Sequence, residues 1–234
     1  MATPATQAHA QSRTPARAAL RGLYAVTPDL ADTRELVARV RAAIDGGASA
    51  IQYRNKTATG AQRLEQATAL ADACRGRALL IVNDDPVLAA SVGADGVHVG
   101  EHDGGIAAAR DVVGEGAIIG VSCYDDLALA RTCAGEGADY IAFGSFFPSR
   151  SKPSARRAAM SLLRDAQSLH VPLVAIGGIT AGNAASLFGA GASAVAVIAD
   201  VFDHDRLADI TQAARRLAEL ARDAAAPSAT RASA

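Results

Sequence analysis

The sequence predicts an α/β fold made of a single (β/α)8 TIM barrel. Short apolar runs alternate with segments of helical spacing, and about eight such units can be counted, the number that closes this barrel. The runs are continuously apolar and rich in branched residues, as expected of parallel strands buried on both faces. Gly-Ala pairs such as Gly47-Ala48 and Gly137-Ala138 precede several runs and fit tight helix-to-strand turns. An open doubly wound sheet is the alternative, but no GxGxxG motif follows the first run.

The predicted strands succeed one another at regular intervals from the first apolar run. They lie in GLYAVTP from Gly22, ASAIQYR from Ala48, ALLIVND from Ala78, GVHVG from Gly96, AIIGVSC from Ala117, YIAFGSF from Tyr140, VPLVAIGG from Val171 and SAVAVIAD from Ser193. Segments with helical spacing of apolar residues lie between them, for example at 33–45, 60–74 and 125–136, and a last one at 212–222 follows the eighth run. The barrel is therefore predicted over 21–223, with disordered tails at 1–20 and 224–234, both poor in large apolar residues.

Composition limits the partners. The net charge of −1 gives no basic excess for nucleic acid or an anionic membrane, so small molecules are the expected partners. No apolar run reaches the length of a membrane helix. The three cysteines, Cys74, Cys123 and Cys133, have no CxxC spacing and suit a reducing compartment, so the protein is expected in the cytoplasm. The sequence leaves open whether the chain forms a homo-oligomer.

The stretch IQYRNK at 51–56 ends the second predicted strand with an amide and two cations. Alternation in a strand places Gln52, Arg54 and Lys56 on one face and the other three residues on the opposite face. Active sites of such barrels lie at the C-terminal ends of the strands. A solvated strand edge would look similar, but these residue types favour a pocket for a strongly anionic ligand.

Acidic residues follow the next two predicted strands. Asp84 and Asp103 can approach each other at neighbouring strand ends, and paired carboxylates with a phosphate typically hold Mg2+. Each could instead cap a helix, which is the interpretation we favour for Asp85 because Pro86 follows it. Asn83 adds a further amide beside Asp84. Together with the cations after the second strand, these residues predict a diphosphate–Mg2+ site.

Two later segments complete the predicted site. The loop after the sixth predicted strand, PSRSKPS at 148–154 (loop 6), supplies Ser149, Ser151 and Lys152, which could bind an anion and close over it. Gly177–Ile179 is predicted to open a helix after the seventh strand, where barrels often bind phosphate. A second phosphate there would imply a reaction of two substrates. His98 is interpreted as a packed structural histidine.

Taken in order, QYRNK, VNDD, GVHVGEHD, GVSC, GSFFPSRSK, AIGGI and VAVI resemble the thiamine-phosphate synthase family. The resemblance runs from about Gly22 to about Phe202, over nearly all of the predicted barrel. It implies a transferase that joins 4-amino-5-hydroxymethyl-2-methylpyrimidine diphosphate to 4-methyl-5-(2-hydroxyethyl)thiazole phosphate. The products are thiamine phosphate and pyrophosphate, and the reaction is a dissociative substitution assisted by Mg2+.

The resemblance also implies a role for each matching residue. Asp84 and Asp103 match the Mg2+ ligands. Substrate contacts are implied for Gln52, Arg54, Lys56, Asn83, Ser122, Ser149, Ser151, Lys152, Gly178, Ile198 and Ala199, with Arg54, Lys56, Lys152 and Ser122 in the catalytic set. Glu101, Ser151 and Ala199 depart from residues common in the family, which bears on affinity more than on activity.

Three rival functions remain. A thiazole tautomerase on the same barrel would use a histidine where this chain has Tyr124, and it would not need Asp103 as a second acid. A silent barrel that binds thiazole or thiamine phosphates would not need the two acids with the cations. A generic phosphate-binding isomerase would be consistent with Gly177–Ile179 alone.

Overall fold

A computed structural model describes residues 20–100, 104–148 and 156–226. In these residues eight parallel strands pair in chain order and close into a barrel, with the last strand paired to the first. The strands are β1 (Gly22–Val26), β2 (Ala48–Tyr53), β3 (Leu79–Asn83), β4 (Gly96–Val99), β5 (Ile118–Tyr124), β6 (Tyr140–Gly144), β7 (Leu173–Ile176) and β8 (Ala194–Val197). The predicted (β/α)8 barrel is confirmed. Most of both predicted tails lies outside the described residues.

Helices follow the strands around the outside of the barrel. In the described ranges they are α1 (Thr33–Asp45), α2 (Gly60–Cys74), α3 (Pro86–Val92), α4 (Gly105–Val113), α5 (Leu127–Gly135), α6 (Met160–Asp165), α7 (Ala184–Gly189), α8 (Ala199–Phe202) and α9 (Leu207–Ala225). The predicted helices at 33–45 and 60–74 match α1 and α2 at both ends. The last helix, α9, is longer than the predicted segment at 212–222. No helix in the described part of the chain is long and apolar enough to cross a membrane.

Polar side chains fix where several helices begin. Asp32 accepts a hydrogen bond from the Glu35 N–H before α1, and Thr59 accepts one from the Gln62 N–H before α2. Each cap satisfies a backbone N–H that has no acceptor inside its own helix. The helix starts therefore follow from the sequence, and they set the length of the loops at the barrel mouth.

The core has two layers because successive strand residues point to opposite faces. On β1, Leu23 and Ala25 pack outward against the helices, whereas Tyr24 and Val26 fill the barrel interior. Tyr140 of β6 also belongs to the interior layer. The interior is thus packed with side chains, and Tyr24 and Tyr140 bring hydroxyl groups into it.

A buried ion pair closes the N-terminal end of the barrel beside β5 and β6. Asp139 Oδ2 accepts hydrogen bonds from Arg110 Nη2 at 2.7 Å and from the Ile119 N–H at 2.8 Å. The Asp139 side chain is fully buried. This pair stabilises the end of the barrel that lies opposite the predicted site.

Candidate active site

A cavity of about 350 Å³ opens at the C-terminal ends of β2 and β3. Its lining brings together four of the residues predicted from the sequence, namely Arg54, Lys56, Asn83 and Asp84, with Arg63 of α2 and Asp85 beside them. A larger depression of about 440 Å³ lies on the opposite side, before β3. There the Asp95 carboxylate already accepts a hydrogen bond from the Leu80 N–H, which gives it a structural role. Active sites of such barrels lie at the C-terminal ends of the strands, so the cavity at β2 and β3 is the candidate site.

Two residues that follow β1 hold the segment that carries the two cations after β2. The Thr27 hydroxyl accepts from the Arg54 N–H and donates to the Arg54 carbonyl, both at 2.9 Å. Asp29 Oδ1 accepts from the Lys56 N–H at 2.9 Å and lies 3.5 Å from Arg54 Nη1. Because β2 itself ends at Tyr53, these contacts of Thr27 and Asp29, and not strand pairing, fix the backbone of the segment that carries both cations. Sequence reasoning missed Thr27 and Asp29.

The opposite side of this segment is anchored to α2. Asn55 Nδ2 donates to the Leu30 carbonyl and to Gln66 Oε1, and the Tyr53 hydroxyl donates to Gln66 Oε1 at 2.9 Å. Burial raises the pKa of Tyr53 to about 12. The predicted division of faces is therefore observed, with Tyr53 and Asn55 turned to the helix and Gln52 to the barrel interior.

Asp84 adopts an unusual backbone conformation at the end of β3. Its φ is 62°, in the left-handed region, which aspartate tolerates better than most residues do. The Asp84 N–H donates to the His98 carbonyl at 2.8 Å, which fixes the turn. Backbone strain of this kind costs on the order of 1–3 kcal/mol and clusters at functional sites.

Asp85 has a different role from its neighbour. It is the N-cap of α3, accepting from the Leu88 N–H at 2.8 Å, and its other oxygen lies 3.0 Å from Arg63 Nη2. The interpretation of Asp85 as a helix cap is confirmed. Arg63, which the sequence did not single out, is held by this carboxylate at the cavity wall.

A chain of buried polar side chains crosses the barrel interior. Gln52 Nε2 lies 2.9 Å from the Tyr24 hydroxyl, which lies 2.9 Å from the Tyr140 hydroxyl. The Tyr140 hydroxyl lies 2.8 Å from His98 Nδ1, and His98 Nε2 lies 2.8 Å from Ser122 Oγ. These five residues form what we call the interior chain. It links Gln52 and Ser122, two predicted substrate contacts on different strands.

His98 is buried in the barrel, as the packed histidine was predicted to be. Its ring stacks on Tyr140 with centroids 5.5 Å apart. Burial raises the pKa values of both Tyr24 and Tyr140 well above that of a free phenol. Both phenols therefore stay protonated at neutral pH, and each has one hydrogen to donate.

The predicted thiazole end differs in one respect from expectation. Gly177 and Gly178 have φ values of 102° and 63° and lie in a turn, whereas α7 begins only at Ala184. The prediction that Gly177–Ile179 opens a helix is therefore wrong, because two consecutive left-handed residues cannot start one. A Cβ at Gly178 would lie 2.2 Å from the Pro148 carbonyl oxygen, so only glycine fits. Ile198 and Ala199 follow β8, the strand next to β7.

Several predicted residues lie outside the described ranges. These are Glu101, Asp103, Ser149, Ser151 and Lys152. Within the described ranges no group of three or more His, Cys, Asp or Glu side chains could hold a metal ion. The described half of the predicted metal site nevertheless fits a hard cation, because Asp84 lines the cavity and offers the oxygen ligands that Mg2+ prefers.

Residues 23–201 match the family model for thiamine monophosphate synthase. A thiamine-phosphate synthase of Methylobacillus flagellatus is 53% identical over 202 residues, which cover 86% of this chain and 95% of that protein. The chain belongs to the thiamine monophosphate synthase family. Another synthase, from Chromobacterium violaceum, is 54% identical over 198 residues that cover 84% of this chain and 94% of that protein.

A solved structure shares the architecture. It is the thiamine phosphate pyrophosphorylase from Pyrococcus furiosus, with a TM-score of 0.78 and 34% identity over 89% of this chain and 98% of that one. The resemblance read from the motifs is thus confirmed, and with it the activity of a thiamine-phosphate synthase, a transferase that acts on small molecules. The family match spans both the β2–β3 cavity and the interior chain.

Proposed function

We propose that the chain joins 4-amino-5-hydroxymethyl-2-methylpyrimidine diphosphate to 4-methyl-5-(2-hydroxyethyl)thiazole phosphate, and that the β2–β3 cavity binds the diphosphate. The observation that carries this proposal is the convergence of Arg54, Lys56, Asn83 and Asp84 on one cavity. Two cations and an amide supply hydrogen-bond donors for a diphosphate, and the carboxylate supplies a ligand for its metal.

The contacts of Thr27 and Asp29 with the segment after β2 support the same assignment. Since Asp29 accepts from the Lys56 backbone N–H and lies 3.5 Å from Arg54 Nη1, it fixes the backbone of this segment and restrains the Arg54 guanidinium without burying it. A restrained guanidinium binds a diphosphate with less loss of side-chain entropy. The planar guanidinium of Arg54 can contact two oxygens at once, while Lys56 acts as a point charge. Lys152 of loop 6 would add a third cation.

The reaction requires no general base. The bond between the pyrimidine methylene carbon and the diphosphate oxygen breaks, pyrophosphate leaves with the electron pair, and the thiazole nitrogen donates its lone pair to the methylene cation. Negative charge grows on the departing oxygens, so Arg54, Lys56 and Lys152 stabilise the transition state more than the ground state. Asp84 and Asp103 would hold Mg2+, and the ion would neutralise charge on the diphosphate.

The thiazole phosphate would bind at the neighbouring ends of β7 and β8. Gly178, Ile198 and Ala199 lie there, and Asp200 Oδ2 ties the two loops together by accepting from the Ala181 N–H at 2.9 Å. Ser149 and Ser151 would complete this end. Holding both substrates in one mouth supplies the proximity that captures the cation before water does.

The test is a Mg2+ titration of the initial rate for four proteins: the parent, Arg54→Ala, Asp84→Asn and Asp126→Asn. Arg54→Ala is expected to lower kcat/KM by about 10²-fold or more, as loss of a transition-state charge contact does. Asp84→Asn keeps a residue that tolerates the left-handed backbone but removes the charge, so it should raise the Mg2+ concentration needed for half-maximal rate.

Asp126→Asn is the matched control. Asp126 also follows a strand at the mouth, but its side chain caps α5 by accepting from the Leu129 N–H, which asparagine can also do. It should retain the parental Mg2+ dependence. A parental Mg2+ dependence in Asp84→Asn as well would remove Asp84 from the metal site.

A further inference from the structure

The interior chain contains three residues to which no motif assigns a role, Tyr24, Tyr140 and His98. They connect Gln52 of β2 to Ser122 of β5 through contacts of 2.8–2.9 Å. Tyr24 is 1% exposed and Tyr140 0%, and Gln52 is 5% exposed, so water does not replace these contacts. Ser122 is only half-buried, and it lies at the end of the interior chain that is nearest the barrel mouth. Gln52 and Ser122, the two ends of the interior chain, are therefore coupled through the barrel interior.

The number of donor hydrogens on each side chain sets the direction of the hydrogen bonds along the interior chain. Gln52 Nε2 donates to the Tyr24 hydroxyl, so the single Tyr24 hydrogen is left to donate to Tyr140. Tyr140 then donates its own hydrogen to His98 Nδ1. A neutral imidazole that accepts at Nδ1 carries its hydrogen at Nε2, and this hydrogen is donated to Ser122 Oγ.

The reverse direction is disfavoured by burial. If His98 donated from Nδ1, the Tyr140 hydrogen would have to turn to Tyr24. With the Gln52 amide oriented as observed, the Tyr24 oxygen would then accept twice, and its own hydrogen would find no acceptor among the described residues. A buried donor without an acceptor is costly, so the first direction is the stable one. Because burial keeps both phenols protonated, ionisation does not relieve this constraint.

We propose that Tyr24, Tyr140 and His98 are positioning residues that fix which atoms Gln52 and Ser122 present to the pyrimidine. The Ser122 oxygen accepts from His98, so its own hydrogen is free to donate into the mouth. Gln52 turns its amide nitrogen to Tyr24, so its carbonyl oxygen is offered as an acceptor. The described residues donate no hydrogen bond to this oxygen, although the side chain is almost fully buried.

One donor and one acceptor at fixed positions match an aminopyrimidine, which has ring nitrogens that accept and an amino group that donates. A pyrimidine with a carbonyl in place of the amino group would bring two acceptors together at Gln52. Selectivity of this kind is large when a mismatched ligand leaves buried polar groups unpaired. This inference rests on the proposed function, since it concerns the same pyrimidine substrate.

The test uses Tyr140→Phe, which deletes the central hydroxyl and keeps the ring. KM for the pyrimidine diphosphate should rise about tenfold, while KM for the thiazole phosphate stays at the parental value. Asp139→Asn is the matched control, because it breaks a buried polar contact next to Tyr140 but at the opposite end of the barrel. It should lower the melting temperature and leave both KM values unchanged.

A double-mutant cycle distinguishes positioning from packing. If Tyr140 acts through Ser122, then Tyr140→Phe should raise KM for the pyrimidine diphosphate much less in a Ser122→Ala background than in the parent. Equal fold-changes in both backgrounds would overturn the proposal. If Tyr140→Phe does not fold, Tyr24→Phe takes its place, with the cycle run against Gln52→Ala.

The outcomes distinguish failure of the proposed function from failure of the positioning role. A parent that makes no thiamine phosphate contradicts the proposed function, and the positioning role is then rejected with it. An active parent whose Tyr140→Phe variant has the same two KM values as Asp139→Asn overturns the positioning role alone. A selective rise in the KM for the pyrimidine, suppressed by Ser122→Ala, supports both.

Discussion

Replacing Gly120 with alanine tests how the barrel interior accommodates the interior chain. Gly120 of β5 lies in register between His98 of β4 and Tyr140 of β6. A Cβ at this position would lie 1.9, 2.1 and 2.4 Å from Cζ, Cε1 and Cε2 of the Tyr140 ring. Ordinary contact begins near 3.4 Å, so the ring would have to move by about 1.5 Å.

Such a displacement has two measurable consequences. Overpacking of a core costs about 1–3 kcal/mol, which lowers the melting temperature by roughly 2–4 °C per kcal/mol in a domain of this size. Moving the ring also breaks its contacts with Tyr24 at 2.9 Å and with His98 at 2.8 Å, so KM for the pyrimidine diphosphate should rise. Thermal unfolding followed by circular dichroism gives the first quantity and steady-state kinetics the second.

Gly135→Ala is the control for this substitution. Gly135 ends α5, and nothing lies within 4 Å of a Cβ added there. Alanine should raise the free energy of unfolding by up to about 0.5–1 kcal/mol, because glycine loses more backbone freedom on folding. A Gly120→Ala protein with the parental melting temperature and KM would refute the reasoning, since it would mean that the Tyr140 ring does not need its observed position.

Three further predictions concern other parts of the molecule. Asp139→Asn should lower the free energy of unfolding by about 3 kcal/mol or more, measured by urea denaturation, because it leaves the Arg110 cation without its buried partner. Between pH 10 and about pH 12 only the unfolded chain loses the Tyr53 proton, so the free energy of unfolding should fall as pH rises through this window. Alkaline denaturation of Tyr53→Phe should show a smaller fall. Asp103→Ala should lower turnover far more than Glu101→Gln does, and equal losses in a single-turnover assay would contradict the predicted metal ligand.

Much of the fold was predictable because its signals are local. The continuous apolar runs mark strands buried on both faces, and the starts of α1 and α2 follow from caps at Asp32 and Thr59. The helix at Gly177–Ile179 was wrong because Gly-Gly is compatible with a helix start and with a left-handed turn, and only the backbone angles distinguish them. The start of α9 was placed too late for lack of a side-chain cap at Arg206.

The candidate site was predictable where residues follow strands β2 and β3, since the barrel brings those ends together. Thr27 and Asp29 follow β1 and could have been found by applying the same rule to the first strand. The interior chain was not accessible in this way. Its contacts join strands that are distant along the sequence, and they depend on register and on the space left by Gly120. The available signal was the presence of Tyr24 and Tyr140, which carry hydroxyl groups, at inward positions of otherwise apolar strands.

The most direct test of the central claim is an end-point assay with both phosphorylated heterocycles, with and without Mg2+, in which thiamine phosphate is identified by mass spectrometry. We expect thiamine phosphate and an equal amount of pyrophosphate, formed only when Mg2+ is present. Absence of thiamine phosphate with Mg2+ present, together with retained binding of the thiazole phosphate, would contradict it and favour a tautomerase or a silent binding protein.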